Sequence, residues 1–282
     1  MNFLYPISSA ILQAASATLD KVTLSIKRVT YKTYNGISFP LIFIFTLIIF
    51  LILKPGFPQE IFSLKIIILI LISVVFMIIT NLLYYKALKN DHLSEMQTYS
   101  LISNIPLILL AGFLFIEERN FFIIILSIIA AAALVWSHYE RHHLAISKKT
   151  LPYFLFAILL SPFAGIINKV LLESLNPITL QLIRDCLIAL CFIPIFFKNI
   201  KSVPKKAIIF LILLNAFTTV AWILYFFSYK YNGIILTVLI FSIQPLLVYL
   251  ASIIFLKEKI HWKKLAAFVI ILIAITLSQV MK

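Results

Sequence analysis

Long apolar runs alternate with short groups of charged residues along this chain. Nine stretches contain no Asp, Glu, Lys or Arg, and they are 1–19, 33–53, 66–85, 96–116, 120–139, 150–168, 207–229, 231–256 and 265–281. A tenth stretch, 174–197, is interrupted only by Arg184 and Asp185. A helix needs about 20 apolar residues to cross a hydrocarbon core ~30 Å thick. The pattern therefore predicts an all-α polytopic membrane protein with ten transmembrane helices.

The composition excludes most soluble proteins. Hydrophobic residues make up 63% of the 282 residues and charged residues 12%, whereas a soluble domain is about half apolar and a quarter charged. The basic residues that give the net charge of +14 lie mostly between the apolar runs, which argues against nucleic acid as a partner. Because the runs are continuously apolar and do not alternate, they predict helices and not a barrel.

Four short segments of the first half recur in the second half, 139 to 148 residues later. The pairs are 18–22 with 166–170, Tyr84-Tyr85 with Tyr225-Phe226, 103–106 with 242–245, and Glu118-Arg119 with Glu258-Lys259. Similar composition alone would not explain why Lys, Pro and the Glu-basic pair recur in order. Five helices per half is an odd number, so the second half would enter the membrane from the opposite side. This predicts two inverted five-helix repeats with a binding site near the midplane.

The motifs of both halves resemble the drug/metabolite transporter superfamily, EamA-like transporter family. The residues that carry this resemblance are Ala87-Leu88, Pro106 and Glu117-Glu118-Arg119 in the first half, and Tyr225, Pro245 and Lys257-Glu258-Lys259 in the second. The chain departs from the family at Asn35-Gly36, where an Arg is missing, and before Glu118, where a Gly is missing. The resemblance implies one EamA-like repeat over 1–137, a linker over 138–149 and a second EamA-like repeat over 150–282. It also implies transport and not enzymatic catalysis.

Six charged residues lie inside the predicted helices or near their ends: Asp20, Lys21, Glu95, Lys169, Arg184 and Asp185. A charge at membrane depth costs at least ~2.5–3.5 kcal/mol, so such residues usually face a cavity or pair with one another. Lys21 and Lys169 are related by the repeat and are candidates for substrate binding or gating. The alternative is that both reach the interface by snorkelling. Arg184 and Asp185 diverge by ~100° on a helix, so each needs a partner elsewhere.

Other residues complete the predicted site. Asn104 and Gln244 could hydrogen-bond a substrate, or they could join neighbouring helices. Asp20, Glu95 and Asp185 are the candidates for proton or ion coupling, although Glu95 could instead cap its helix. The last candidates, Pro106 and Pro245, are predicted to kink equivalent helices.

Cofactor and metal sites are not predicted. The chain has no Gly-rich loop ending in Gly-Lys-Ser or Gly-Lys-Thr, so ATP is not expected as the energy source. His138 and His142 have the helical i, i+4 spacing of a possible metal site. The preferred interpretation is a solvated loop between the repeats.

These features predict a secondary transporter that moves a small organic metabolite by alternating access. The embedded bases favour an anionic or zwitterionic solute, such as an amino-acid-like molecule. The alternatives are an exporter or flippase of amphipathic cations or lipid-linked molecules, and a non-transporting membrane scaffold. The expected partners are the small-molecule substrate and the lipid bilayer of a bacterial inner or plasma membrane, and a homodimer is left open.

The distribution of basic residues predicts an orientation. Apart from Lys21, Lys169 and Arg184, 16 Lys and Arg lie in the five odd-numbered loops and 5 in the even loops and termini. The positive-inside rule then places both termini outside the cytoplasm. The family resemblance implies the opposite, with both termini in the cytoplasm.

Overall fold

The computed structural model of this chain describes residues 3–90, 96, 103–137, 150–199, 203–256 and 262–280, and their regular structure is helical. The α-helices are α1 (Leu4–Ser25), α2 (Tyr31–Leu53), α3 (Leu64–Asn90), α4 (Asn104–Leu114), α5 (Phe121–Ser137), α6 (Leu151–Leu159), α7 (Ser161–Ser174), α8 (Pro177–Asn199), α9 (Lys205–Asn232), α10 (Ile234–Phe241), α11 (Gln244–Leu256) and α12 (Trp262–Val280). Two short 3-10 helices, Gln59–Phe62 and Ile116–Glu118, lie in the connections after α2 and α4.

Each of the ten apolar stretches coincides with one helix or one consecutive pair of helices in the described residues. Five segments there are long and apolar enough to cross a membrane, and they are Tyr31–Leu53, Leu64–Lys89, Pro177–Lys198, Lys205–Asn232 and Ile234–Ala251. The pair α6 and α7, bent by 44°, would be a sixth. The chain is therefore a multi-pass membrane protein with five or six such segments among its described residues.

The outer faces of several helices suit contact with lipid. On α2, Leu51, Ile52 and Leu53 are 59–72% exposed, and on α3 Leu71 is 50% exposed. An apolar surface of this extent is typical of membrane contact rather than of a soluble monomer. The helix α1 does not meet the criteria for a span because polar residues, including Asp20, interrupt it.

The helices α2 and α8 pack closely along each other and run antiparallel. Gly36 lies against Ile195, Phe39 stacks on Phe192 with ring centroids 5.1 Å apart, and Thr46 Oγ1 donates to Asp185 Oδ2 at 2.7 Å. Along these three contacts the residue number in α2 increases by the same amount as the residue number in α8 decreases, as antiparallel helices require. A Cβ at Gly36 would lie 2.5 Å from Ile195 Cγ2, so glycine permits the close approach.

The helices α1 and α9 form a second long antiparallel contact, and polar groups join them. The Ser9 hydroxyl donates to the Ala221 carbonyl at 2.8 Å, and the Ser16 hydroxyl donates to the Leu214 carbonyl at 3.3 Å. Small residues that donate to backbone carbonyls are a common means of joining helices in membranes. The first and second halves of the chain are thus interleaved.

The second helices of the two halves begin in the same way. Thr30 Oγ1 accepts from the Thr33 amide at the start of α2, and Asn176 Oδ1 accepts from the Ile178 amide at the start of α8. Both are side-chain caps that satisfy an orphan N–H of the first turn. These caps fix where α2 and α8 enter the bundle.

Candidate functional site

Two adjoining cavities lie between helices of both halves. The first, which we name the Arg184 cavity, has a volume of about 260 Å³, and the second, the Asp20 cavity, about 230 Å³. They share a wall that includes Met77, Asn81, Tyr153, Trp222, Phe241 and Gln244. We call the two cavities together the chamber, and its mixture of apolar and polar lining suits a small organic molecule.

Arg184, on α8, gives the first cavity a positive charge. Its side chain is buried, with Nη1 donating to Asn168 Oδ1 at 3.0 Å, Nη2 donating to Met77 Sδ at 3.0 Å, and Cζ lying 5.3 Å from the centre of the Phe226 ring. Among the described residues no carboxylate lies within 4 Å of it, and Nε has no hydrogen-bond partner. Its partners are neutral, so the guanidinium can accept an anion from the cavity.

Asp185 follows Arg184 directly but belongs to a different environment. Its carboxylate accepts from the Thr46 hydroxyl at 2.7 Å and from Gln181 Nε2 at 2.9 and 3.0 Å. The residue is fully buried between α2 and α8 and is absent from the walls of both cavities. It joins these two helices, and its role in coupling stays a prediction.

Asp20, on α1, lies in the wall of the second cavity. One of its carboxylate oxygens accepts a hydrogen bond from the Tyr34 hydroxyl, and the Tyr34 ring packs against Tyr85 with centroids 4.4 Å apart. In the part of the chain that the structure describes, no Lys or Arg nitrogen lies within 4 Å of this carboxylate. The second cavity therefore carries a carboxyl group with no described Lys or Arg nitrogen within 4 Å.

The two repeat-related lysines are placed outside the walls of both cavities. Lys21 Nζ donates to the Leu88 carbonyl at 2.7 Å, and Lys169 Nζ lies 3.7 Å from Glu118 Oε1. In these positions each lysine joins parts of the helix bundle. Their role in substrate binding or gating stays a prediction.

The remaining predicted site residues are distributed as follows. Asn104 lines the Arg184 cavity and Gln244 lines both cavities, whereas Glu95 lies outside the described residues. Pro106 is in the first turn of α4, and Pro245 is in the first turn of α11, just after the break between α10 and α11. In a first turn the missing proline N–H breaks no intrahelical bond, so the break precedes Pro245 and is not centred on it.

Glu118 forms a connection between the halves that the sequence analysis did not assign. Its two carboxylate oxygens accept from the backbone amides of Ile234 at 2.8 Å and Ile235 at 2.9 Å, at the start of α10, while Lys169 lies beside it. A carboxylate at a helix N-terminus is stabilised both by these hydrogen bonds and by the helix dipole. The recurrence of Glu118 as Glu258 was the sequence signal for its importance.

Comparison with known proteins shows what the chain is similar to. Residues 148–279 match the model of the EamA-like transporter family. The matched residues are thus similar to an EamA-like transporter domain. The matched residues include Lys169, Arg184 and Gln244, and the match indicates a membrane transporter of the drug/metabolite type. The family that the model describes is one of transporters.

The fold is supported over almost the whole chain. A solved structure, described as the crystal structure of a protein, superposes with a TM-score of 0.73 at 14% sequence identity, covering 99% of this chain and 96% of that one. At this identity the likeness concerns the fold alone. No curated protein sequence matches the chain significantly.

The structure places several residues in the cavities that the sequence analysis did not assign as site residues. Asn168 and Met77 hold Arg184, and Trp222 lies in the wall shared by both cavities. Asn168 precedes Lys169 and is part of the recurring segment, so the repeat was a signal for it. Met77 offered no signal, because an apolar residue in an apolar helix has no distinguishing pattern.

Gly233→Ala should destabilise the protein more than Gly56→Ala. Both glycines have positive φ, +81° and +79°, so each substitution strains the backbone, but a Cβ at Gly233 would also lie 3.0 Å from Glu118 Cδ, whereas one at Gly56 meets nothing within 4 Å. We expect Gly233→Ala to cost about 2–3 kcal/mol and Gly56→Ala about 1 kcal/mol. Thermal unfolding of the two purified variants measures the difference, and equal losses would contradict a tight fit of Glu118 on Gly233.

Proposed function

We propose that this protein is a secondary transporter for a small organic metabolite with an anionic group, which binds at Arg184. The observation that carries the proposal is the buried guanidinium in the cavity wall, which has only neutral partners among the described residues. A buried cation of this kind is costly unless it is functional or paired. An anionic substrate would supply a negative charge in direct contact with the guanidinium.

The proposed mechanism is alternating access between two inverted five-helix repeats, with ten spans in all. Equivalent helices of inverted repeats run in opposite directions through the membrane. The antiparallel packing of α2 on α8, the second helices of the two halves, fits this requirement. The chamber lies between elements of both halves, where an inverted repeat would place the substrate.

A pair of lysine contacts supports the same duplication. Lys89, near the end of α3, donates to the Val29 carbonyl, and Lys230, near the end of α9, donates to the Leu175 carbonyl at 2.9 Å. Val29 and Leu175 each directly precede the cap residue of the second helix of their half. In each half, a lysine near the end of a long helix thus donates to the carbonyl of the residue that precedes the cap of the second helix. This recurrence favours repeats over 1–137 and 150–282 joined by 138–149.

The proposal also covers the membrane in which the protein lies, and it leaves the energy source of transport open. We place the protein in a bacterial inner or plasma membrane, with lipid around the bundle. Proton or ion coupling through Asp20, Glu95 or Asp185 and uncoupled facilitation are both compatible with the site. A substrate that is amino-acid-like would fit a chamber with charged and aromatic walls.

A thermal-shift screen of the detergent-purified protein against amino acids, nucleosides, carboxylates and cationic drugs tests the proposal. A ligand at 100 times its dissociation constant should add ~2.7 kcal/mol of stability. We expect stabilisation by anionic or zwitterionic solutes, followed by flux of the same solutes into proteoliposomes. Stabilisation by lipophilic cations alone would contradict the proposal and favour an exporter of cations. Silence across the panel would favour a lipid-linked substrate or a scaffold.

A further inference from the structure

Three side-chain amides in the wall of the Arg184 cavity keep hydrogen-bonding capacity that the described protein does not use. Gln244 is 5% exposed, and its amide has no hydrogen-bond partner among the described residues. The same holds for Asn104, while Asn81 uses only its Nδ2, which donates to the Met77 carbonyl at 2.8 Å. The enclosed polar atoms that lack a partner belong to other residues, so these amides face open space in the cavity. They do not join neighbouring helices, which is the common use of amides in membrane proteins.

Aromatic rings from α9 and α10 lie in the wall of the same cavity. Trp222 and Tyr225 meet edge to face with ring centroids 5.3 Å apart, and Tyr225 and Phe241 meet in the same way at 4.9 Å. All three side chains line the Arg184 cavity and are partly exposed there. Aromatic side chains bind flat rings by stacking, and this contact tolerates many kinds of ring. The rings therefore favour a flat ligand, and the amides favour one whose edge carries hydrogen-bonding atoms.

The charge and the volume of the cavity restrict the ligand further. Arg184 is the one charged side chain among the described lining residues, so a cationic group on the ligand would find no carboxylate in this cavity. The volume of about 260 Å³ lies just below the range of ~300–1,000 Å³ that is usual for ligand pockets. The cavity therefore suits a molecule of one or two rings with an anionic group.

We propose that the Arg184 cavity binds a planar nitrogen heterocycle that carries one anionic group, and that Gln244 hydrogen-bonds the edge of its ring. This inference rests on the proposed function and names its substrate class. A carboxamide has two N–H donors and a carbonyl acceptor side by side, and Asn and Gln recognise the edge of adenine in the same way. Arg184 and the three amides line one cavity, so the anionic group and the ring occupy the same space. A ring of carbon alone would leave the amides unpaired, which weakens binding.

The test uses small molecules in matched pairs. Nicotinate differs from benzoate by a ring nitrogen, dihydroorotate is orotate with a saturated and non-planar ring, and uracil is orotate without the carboxylate. Thermal-shift titrations of the purified wild-type protein measure the affinity for each compound. We expect nicotinate to bind about 10-fold more tightly than benzoate, and orotate about 10-fold more tightly than either dihydroorotate or uracil.

Two variants separate the hydrogen bonds from the stacking. Gln244→Leu should bind nicotinate and benzoate equally, because it removes the amide that recognises the ring nitrogen. The control Gln59→Leu, at an exposed position in the 3-10 helix after α2, should keep the wild-type preference. Phe241→Leu should lose the preference for orotate over dihydroorotate and keep that for nicotinate over benzoate, since Leu offers no ring to stack on.

Several results would overturn the inference. Equal affinity of the wild type for nicotinate and benzoate, or the absence of binding by both nicotinate and orotate, would remove the heterocycle while leaving anion binding at Arg184 intact. Equal affinity for orotate and uracil, or unaltered binding of the best anion from the wider screen by Arg184→Gln, would instead contradict the proposed function. An unchanged preference for nicotinate in a folded Gln244→Leu protein would exclude Gln244 from recognition of the ring and assign its amide to bound water.

Folding of the variants needs its own measurement. Gln244→Leu removes no described hydrogen bond of the amide, so size-exclusion chromatography and the unfolding temperature without ligand should match those of the wild type. Gln244→Met keeps the length of the side chain and loses its amide, so it makes the same comparison if the Leu variant is less stable. A preference for nicotinate that survives in both folded variants would contradict the proposal.

Discussion

Arg184→Gln is expected to weaken binding of an anionic or zwitterionic solute by about 100-fold, equivalent to ~2.7 kcal/mol, and to stop its flux into proteoliposomes. Among the described residues that line the chamber, Arg184 is the one Lys or Arg. Gln is a shorter neutral donor, so the variant can keep a bond to Asn168 while losing the charge. Isothermal calorimetry with the best solute from the screen measures the affinity, and radiolabelled uptake measures the flux.

Two further variants give this prediction its controls. Arg28→Gln removes a positive charge from an exposed connection between α1 and α2, at a positive φ that suits neither Arg nor Gln. It should leave affinity and flux unchanged. Arg184→Lys keeps the charge but loses the planar fork that binds a carboxylate with two hydrogen bonds, so we expect intermediate affinity. Wild-type affinity in a folded Arg184→Gln protein would exclude Arg184 from the binding site.

The elements of the fold could be predicted from the sequence because apolar runs of membrane length are a strong signal. Each apolar stretch contains helical residues wherever the structure describes it. The internal break between α6 and α7 was not predicted, although Pro162 follows it directly. A proline is tolerated both inside a membrane helix and at the start of a new one, so its position alone does not distinguish the two.

The site was less predictable, because charge alone does not reveal which way a side chain points. Arg184 and Asp185 are adjacent in sequence, yet Arg184 lines a cavity and Asp185 lies between α2 and α8. Their difference depends on Thr46 and Gln181, which are ordinary polar residues in an apolar context. The rotation of α8 about its own axis determines which of the two side chains faces the cavity. This rotation follows from tertiary packing, such as that of Gly36 against Ile195.

The lysines show a related limit, because the sequence did not reveal their contact partners. Lys169 was expected to bind or gate because it lies near the end of a predicted helix and belongs to a recurring segment. The structure places it beside Glu118, which lies outside the ten apolar stretches. The partner of a buried charge can come from a distant connection, and nothing in the local pattern of α7 indicates it.

Glu118→Ala should lower the stability of the protein by about 2–5 kcal/mol, because it leaves the buried amides of Ile234 and Ile235 without an acceptor. The substitution also removes the acidic partner of Lys169. For a chain of this size, the loss should lower the unfolding temperature by roughly 5–15 °C. Differential scanning fluorimetry in detergent measures this shift.

The neighbouring acid provides a matched control for this variant. Glu117 is exposed in the same 3-10 helix, so Glu117→Ala should change stability by less than about 0.5 kcal/mol. Lys169→Met should cost less than Glu118→Ala, because the carboxylate keeps both backbone donors when the lysine is removed. Similar losses for Glu117→Ala and Glu118→Ala would contradict the capping role.

Transport measurements on a Glu118 variant distinguish a cap that only stabilises the protein from one that also positions its two halves. Glu118 follows α4 of the first half, whereas α10 and Lys169 belong to the second half. Any motion of one repeat against the other must preserve or break this contact. If the contact breaks during the cycle, Glu118→Gln, which keeps one acceptor, should raise the flux per folded molecule because the connected state loses stability relative to the separated one. If the contact persists, Glu118→Gln should change stability and leave the flux per folded molecule as it was.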